Sequence, residues 1–342
     1  GLSMIRLKKL YQKDVYISRL LLIGIAWLVF MALTKYSKFY SLLSFQTMAT
    51  QFPEFGLMAI GVMLCMITGG IDLSVVGIAN LSAITMGLFS KALVTAEGTL
   101  GLDSILLLLA LSLALGAVAG VFNGVLVSKI GIPAILATLG ANELYYGIGV
   151  VLTQGKAVSK LPMEYSSLMT AKIFGLIPMQ FLIFAIAVLI VGFLMSRTNY
   201  GIKLYMLGTN QKASRFSGIN NDAMLIKTYM ISGMCAALGG MIMLANYNSA
   251  RSDYGAAYTL QTILIVVLGG VSPQGGRGKL SGVVLSILVL QLLSSGLNRF
   301  QEINAFLIPL IWGVLLVSVM ILNYFTDNSM RGRRISNENS KG

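Results

Sequence analysis

Long apolar runs separated by short polar segments dominate the chain. Residues 105–127 and 177–195 hold no charged side chains, and a helix needs about 20 apolar residues to cross a bilayer. Apolar and polar positions do not alternate with the period of two that a transmembrane barrel requires, so helices must satisfy the backbone inside lipid. The pattern therefore predicts an all-α polytopic membrane protein.

About ten transmembrane helices are predicted, which places both termini on one side. They cover residues 18–34, 52–68, 74–90, 104–126, 133–153, 177–195, 224–245, 260–272, 279–297 and 304–325. Lys and Arg are about twice as frequent on the side of the termini as on the other side, so the positive-inside rule makes both termini cytoplasmic. We interpret residues 4–330, from a natural start at Met4, as one transmembrane domain, and residues 331–342 as a basic cytoplasmic tail.

Composition agrees with this class and excludes several others. Of the 342 residues, 56% are hydrophobic and 11% are charged, whereas soluble domains carry about 25% charged residues. The net charge of +13 follows from the topology, so no nucleic-acid partner is implied. Cys65 and Cys235 lie in apolar runs and the chain has no His, which predicts two buried thiols and neither a metal site nor a disulfide.

Two glycine-rich stretches interrupt the apolar pattern. In the first, residues 68–74, Gly69 and Gly70 permit a turn, and Asp72 or Ser74 can cap the next helix. The stretch is interpreted either as a capped tight turn or as a broken helix that lines a solute path. The second, residues 269–278, also opens with a Gly-Gly pair after an apolar segment, which suggests two related halves in an inverted repeat. Its end resembles a phosphate loop, but Leu280 stands where Ser or Thr is required, so ATP binding by that route is not expected.

The longest segment on the predicted inner side covers residues 197–223. Its centre, residues 210–216, can form two helical turns with small residues on one face and Arg215 available for an acidic partner. The segment is interpreted either as a docking helix or as an ordinary polar loop. Its candidate contact residues are Gly208, Asn210, Ala213, Ser214, Arg215, Ser217 and Gly218.

Five motifs in order resemble the ribose-type permease family of ATP-binding-cassette (ABC) importers, over about residues 55–324. They are Gly69-Gly70-Ile71-Asp72-Leu73-Ser74, Asn123-Gly124, residues 132–140 with Thr138, the segment from Gly208 to Ile219, and residues 268–278 with Gly269-Gly270. The family also includes permeases for other pentoses and hexoses, for furanosyl quorum signals and for nucleosides.

The resemblance implies a permease subunit, without a cofactor of its own, in the inner membrane of a bacterium. A second permease subunit, of the same or a related chain, would complete the pathway for a sugar-like solute. ATPase subunits would bind ATP, and an extracytoplasmic binding protein would deliver the solute. The resemblance further implies that residues 208–218 couple this chain to the ATPase. The implied translocation-path or helix-break residues are Gly69, Gly70, Asp72, Ser74, Asn123, Thr138, Gly269 and Gly270.

Three departures from the family pattern leave the solute and the identity of the second permease open. Val76 and Thr259 replace a usual Gly and Glu, and Tyr146 stands where Arg usually precedes Gly147. Four side chains, Tyr146 among them, are candidates either to face a polyol or to pack ordinarily. They are Tyr145, Tyr146, Tyr247 and Asn248.

Two rival classes are less favoured. An ion-coupled secondary carrier needs intramembrane ionisable groups, and its main candidates, Glu143 and Asp72, have no evident basic partner in the neighbouring spans. A membrane enzyme needs a nucleophile, a metal or an acid–base pair, and the sequence shows no motif for any of these. The sequence therefore favours the importer permease.

Overall fold

The computed structural model describes residues 14–95 and 98–300, together with 307, 310–318, 320–321 and 324–325. Its helices are α1 (Val15–Thr34), α2 (Tyr36–Phe39), α3 (Leu42–Ile67), α4 (Val75–Ala92), α5 (Leu102–Ser128), α6 (Ala134–Thr153), α7 (Met163–Met169), α8 (Met179–Arg197), α9 (Asn199–Thr209), α10 (Gln211–Phe216), α11 (Asn221–Tyr247), α12 (Tyr258–Leu268) and α13 (Leu280–Leu297). Strands β1 (Lys172–Ile173) and β2 (Ile177–Pro178) form a short antiparallel hairpin before α8.

The helical membrane fold predicted from the sequence is confirmed. Among the described residues, eight helices are long and apolar enough to cross a bilayer, namely α1, α3, α4, α5, α6, α8, α11 and α13. Each corresponds to one predicted span. The largest boundary error is in α3, which begins at Leu42, about ten residues before the predicted start.

The predicted span at 260–272 is corrected to a shorter element. Helix α12 has 11 residues, or about 16 Å at 1.5 Å per residue, which is about half of a 30 Å hydrocarbon core. It ends at Leu268, directly before the Gly269-Gly270 pair. In the last predicted span, residues 310–318 are helical, while the start at Met4 and the tail 331–342 lie outside the described residues.

Helix α11 lies at the centre of the bundle and packs against α3, α4 and α5. A Cβ atom on Gly120 of α5 would collide with the backbone oxygen of Tyr229 on α11. Small residues four apart let two membrane helices approach this closely, and α5 presents three such glycines to α11: Gly116, Gly120 and Gly124. Cys65 and Cys235 are free and buried beside this core, as the sequence predicts.

Candidate functional site

The predicted helix break between α3 and α4 is present and is organised by Asp72. Gly69 has a φ of +89°, a left-handed conformation that favours glycine. Asp72 Oδ1 accepts hydrogen bonds from the backbone amide of Ser74 at 3.0 Å and from its hydroxyl at 2.6 Å. Its other oxygen accepts from the Ser232 hydroxyl on α11 at 2.7 Å. Asp72, rather than Ser74, therefore holds the start of α4.

The polar contacts continue from Ser74 into α5 and α6. Asn123 Nδ2 donates to Ser74 Oγ at 2.7 Å, and the Tyr145 hydroxyl lies 2.9 Å from Asn123 Oδ1. Thr138 Oγ1 accepts from the Leu73 amide at 3.1 Å. All these side chains are buried, so the network joins helices inside the chain and faces no surface of it. Their role in lining a solute path stays a prediction.

The two glycine-rich stretches and the segment 197–223 meet at one end of the bundle. The backbone N–H of Gly276 donates to the carbonyl oxygen of Ile67 at 2.8 Å. A Cβ atom on Gly208 would collide with that same carbonyl and lie 2.6 Å from the Gly276 nitrogen. A Cβ atom on Gly275 would lie 2.8 Å from the backbone nitrogen of Gly69. We call this contact of residues 67–69, 208–209 and 275–276 the glycine junction.

Two further contacts attach helices to the glycine junction. The Tyr205 hydroxyl on α9 donates to the Gly278 carbonyl at 2.7 Å. Lys279 Nζ lies 2.6 Å from Asp14 Oδ2 at the start of α1. Burial of Asp14 alone would raise the pKa of its carboxyl, but hydrogen bonds from Lys279 and from the backbone hold that pKa below its usual value. The N-terminus of α1 is thus fixed beside the junction.

Gly269 and Gly270, predicted as path residues, shape the end of α12. A Cβ atom on Gly269 would lie 2.8 Å from the backbone nitrogen of Val283 on α13. Gly270 has a φ of +91° and packs on the ring of Tyr16. Both glycines are required by close packing in this arrangement, and a direct solute contact for either stays a prediction.

The predicted docking helix is present as α10, and a second helix, α9, precedes it. The Asn210 side chain caps α10 by accepting from the Ala213 amide at 3.0 Å. One expectation for α10 needs correction. Ser214 is buried and bonds to Asn221 Oδ1 at 2.7 Å, so it faces the chain and not a partner. Arg215 lies 3.5 Å from Asp222 and stays exposed, and its pairing with an acidic partner protein stays a prediction.

The exposed surface of α10 includes a residue that sequence reasoning missed. The side chain of Phe216 is 92% exposed at the end of the helix. Ala213, Arg215, Ser217 and Gly218 are exposed around it. A single Phe in a polar segment gave no periodic signal, so only its exposure identifies it as a candidate contact.

A second missed group is a buried carboxylate near the middle of α3. Glu54 Oε1 accepts from Asn246 Nδ2 at 2.5 Å, and Oε2 accepts from the hydroxyls of Tyr247 at 3.0 Å and Tyr258 at 2.7 Å. Its side chain is 1% exposed. Within the described part of the chain, no ion pair reaches it. We call Glu54, Asn246, Tyr247 and Tyr258 the Glu54 cluster.

The other sequence candidates are scattered. Tyr145 packs internally against α5, whereas Tyr146 is exposed on α6. Asn248 ends α11 in a left-handed conformation with a φ of +47°. Glu143 is exposed on α6, whereas Asp72, the other candidate for ion coupling, is buried. Of the four predicted polyol contacts, Tyr247 alone belongs to the Glu54 cluster.

Comparison with known proteins identifies relatives over most of the chain. Residues 44–324 match the family described as branched-chain amino acid transport system / permease component. The chain is 32% identical over 285 residues to the autoinducer 2 import system permease protein LsrC of Yersinia pestis (strain Pestoides F), covering 83% of this chain and 78% of that protein. The LsrC protein of Yersinia pseudotuberculosis serotype O:1b (strain IP 31758) matches with the same identity and coverage. No solved structure matches the chain.

Proposed function

Because the chain belongs to this family of ABC importer permeases, we propose that it forms half of the membrane pathway for a small sugar-like solute. A second permease subunit, of the same or a related chain, supplies the other half. ATPase subunits bind and hydrolyse ATP, so this chain needs no cofactor and has no enzymatic activity of its own. An extracytoplasmic binding protein delivers the solute.

The glycine junction is the observation that carries this proposal. It joins the broken end of α3, the loop after α12 and the end of α9 through direct backbone contacts. Helix α10 follows α9 after one residue and is exposed over most of its surface. Because packed backbones are hardly compressible, a displacement of α10 reaches α3 and α12 without being absorbed by flexible side chains. This is the arrangement that coupling to a separate ATPase requires.

We propose that α10 is the contact with the ATPase and that Phe216 is its apolar anchor. Burying a Phe side chain stabilises a complex by about 1.5–3 kcal/mol. The surrounding surface is basic, with Lys212 and the pair of Lys129 and Arg215 around Asp222. The fitting partner is therefore a groove that combines an apolar pocket with acidic side chains.

The basic residues around α10 also set the proposed orientation. Lys129, Lys203, Lys212 and Arg215 all lie in segments on this side of the bundle. Positive charge favours the cytoplasmic side, so α10 and the glycine junction face the cytoplasm, together with both termini. The inner membrane of a bacterium is the membrane in which an ABC importer meets cytoplasmic ATP and an external binding protein.

The solute is proposed to be a monosaccharide or a closely related furanose. A furanosyl quorum signal is the second candidate, because the relatives matched above are autoinducer 2 import permeases. A nucleoside is less favoured, since only the family resemblance suggests it.

The test is transport by the complete importer in proteoliposomes that contain the chain, its ATPase and its binding protein. Uptake of D-ribose, D-xylose or autoinducer 2 should require ATP and should be unaffected by a proton uncoupler or by removal of sodium. An ATPase variant that cannot hydrolyse ATP is the control. Uptake that collapses with the uncoupler while ATP is held constant would instead establish an ion-coupled carrier.

A further inference from the structure

The Glu54 cluster fixes the direction of two hydrogen bonds. The hydroxyls of both Tyr247 and Tyr258 donate to Glu54 Oε2, so both hydroxyl hydrogens point towards Glu54. Each phenol oxygen keeps lone pairs that accept further hydrogen bonds. The two oxygens lie 3.5 Å apart, close enough to serve neighbouring hydroxyl groups of one small molecule. The cluster thus offers paired acceptors to a ligand rich in donors.

The aromatic surface around these oxygens is partly accessible and packs against two other rings. Tyr247 is 46% exposed, and its ring packs edge-on against Tyr254 with centroids 5.5 Å apart. The ring of Tyr258 lies 5.6 Å from that of Phe55. An exposed aromatic face covers the apolar C–H face of a ligand while its hydroxyl bonds the polar edge. A polyhydroxylated ring combines those two properties.

A structural role alone does not account for the carboxylate. Tyr165, which is buried on α7, satisfies its hydroxyl with the carbonyl oxygen of Met241 at 2.7 Å. A backbone acceptor is therefore enough to hold a tyrosine in this fold. Burying an unpaired acid within a membrane-spanning helix is costly and is kept for function, so Glu54 requires another explanation.

From this geometry we propose that Tyr247 and Tyr258 form a subsite that contacts the hydroxyl groups of the transported solute. Glu54 and Asn246 are positioning residues, because they orient the two tyrosines and reach the solute through them. The proposal rests on the proposed import function and names the side chains that contact a sugar-like solute.

The position of Tyr258 gives the subsite a direct route to the glycine junction. Tyr258 is the first residue of α12, and Leu268 at its other end leads into the loop whose Gly276 contacts Ile67. The helix between them is 11 residues long, about 16 Å. Glu54 and Ile67 likewise lie on one continuous helix, α3. Solute contact and ATPase coupling thus lie at opposite ends of α12, and α3 joins the same two regions from Glu54 near its middle to Ile67 at its end.

The test uses the complete importer in proteoliposomes and compares Tyr247→Phe, Tyr258→Phe and the control Tyr165→Phe. The solute is whichever of D-ribose, D-xylose and autoinducer 2 the wild type takes up. Loss of one hydrogen bond to solute should lower uptake per ATP by about three- to tenfold in the first two variants. ATPase stimulation by the loaded binding protein should remain, and Tyr165→Phe should lower thermal stability without lowering uptake per ATP.

Glu54→Gln distinguishes positioning from a general structural effect. Because Glu54 acts through the tyrosines, Glu54→Gln should lower uptake per ATP in the wild type and add little in protein that carries both Tyr247→Phe and Tyr258→Phe. Unchanged uptake per ATP in both tyrosine variants would overturn the subsite, as would an equal loss in Tyr165→Phe. Failure of the wild type to take up any of the three solutes with ATP would refute the proposed function itself.

Discussion

Replacing Gly208 by Ala should damage coupling, because it places a methyl group inside the glycine junction. The new Cβ atom would collide with the carbonyl oxygen of Ile67 and lie 2.6 Å from the nitrogen of Gly276. Those two atoms form the 2.8 Å hydrogen bond that closes the glycine junction. Both neighbours are backbone atoms, so neither can move aside by changing a side-chain rotamer.

The cost has two parts. Overpacking of a tight contact costs about 1–3 kcal/mol, and loss of the Gly276–Ile67 hydrogen bond adds about 0.5–1.5 kcal/mol. Together they correspond to about 1.5–4.5 kcal/mol, concentrated at the junction. We expect lower thermal stability in detergent and loss of the ATPase stimulation that loaded binding protein produces.

Gly140→Ala is the matched control. Gly140 also lies within a helix, but a Cβ atom added there would meet no atom of the described residues within 4 Å. The same substitution there should be neutral, or stabilising by up to about 1 kcal/mol through helix propensity. If Gly208→Ala retains stability and stimulation as Gly140→Ala does, the glycine junction is not the coupling element.

Three further outcomes are expected. Gly70→Leu should abolish uptake or assembly, because a Cβ at Gly70 lies 2.6 Å from the Tyr229 hydroxyl; full transport would contradict a functional break. Phe216→Ala should reduce co-purification of the ATPase, whereas Phe174→Ala, with a side chain 93% exposed in the hairpin before α8, should not; equal effects would contradict α10 docking. A reporter fused after residue 330 should behave as cytoplasmic and one placed within 156–172 as external, and a reversed pattern would overturn the orientation.

The membrane helices are predictable because lipid demands long apolar segments. The start of α3 is not predictable in this way, because its first turns carry polar residues and Pro53, which is a pattern typical of a loop. In the structure the helix runs through them, and Thr47 bonds back to the Leu43 carbonyl at 2.8 Å. A start at residue 52 puts Glu54 at a helix end, where an acid is unremarkable in a membrane protein. The structure moves it to the middle of a helix, where it needs a function.

The residues of the Asp72 network are identified by motif, but their connections are not. Ser232 is an ordinary polar residue on a long helix, and nothing in its local sequence points to Asp72. The same limit applies to the glycine junction. Each glycine in the sequence indicates a close backbone contact, but it does not identify the segment that makes the contact. The need for glycine at 208 and 276 becomes clear only in the folded chain, where the carbonyl group of Ile67 lies against both residues.

The two helices that join the Glu54 cluster to the glycine junction end in similar ways, and this restricts how coupling can work. Helix α3 is followed by Gly69 with a φ of +89°, and α12 by Gly270 with a φ of +91°. A left-handed residue stops each helix abruptly, so each ends as a rigid body at the junction instead of fraying into a loop. A shift of α9 at Gly208 must then move both helices together or break the backbone contact between them. Because the tyrosine of one helix is bonded to the carboxylate of the other, relative sliding of α3 and α12 would separate Tyr258 from Glu54. The hydrogen bonds at the Glu54 cluster and at the glycine junction thus favour joint movement of α3 and α12. Such a movement would shift the proposed solute contacts of Tyr247 and Tyr258 relative to the rest of the pathway.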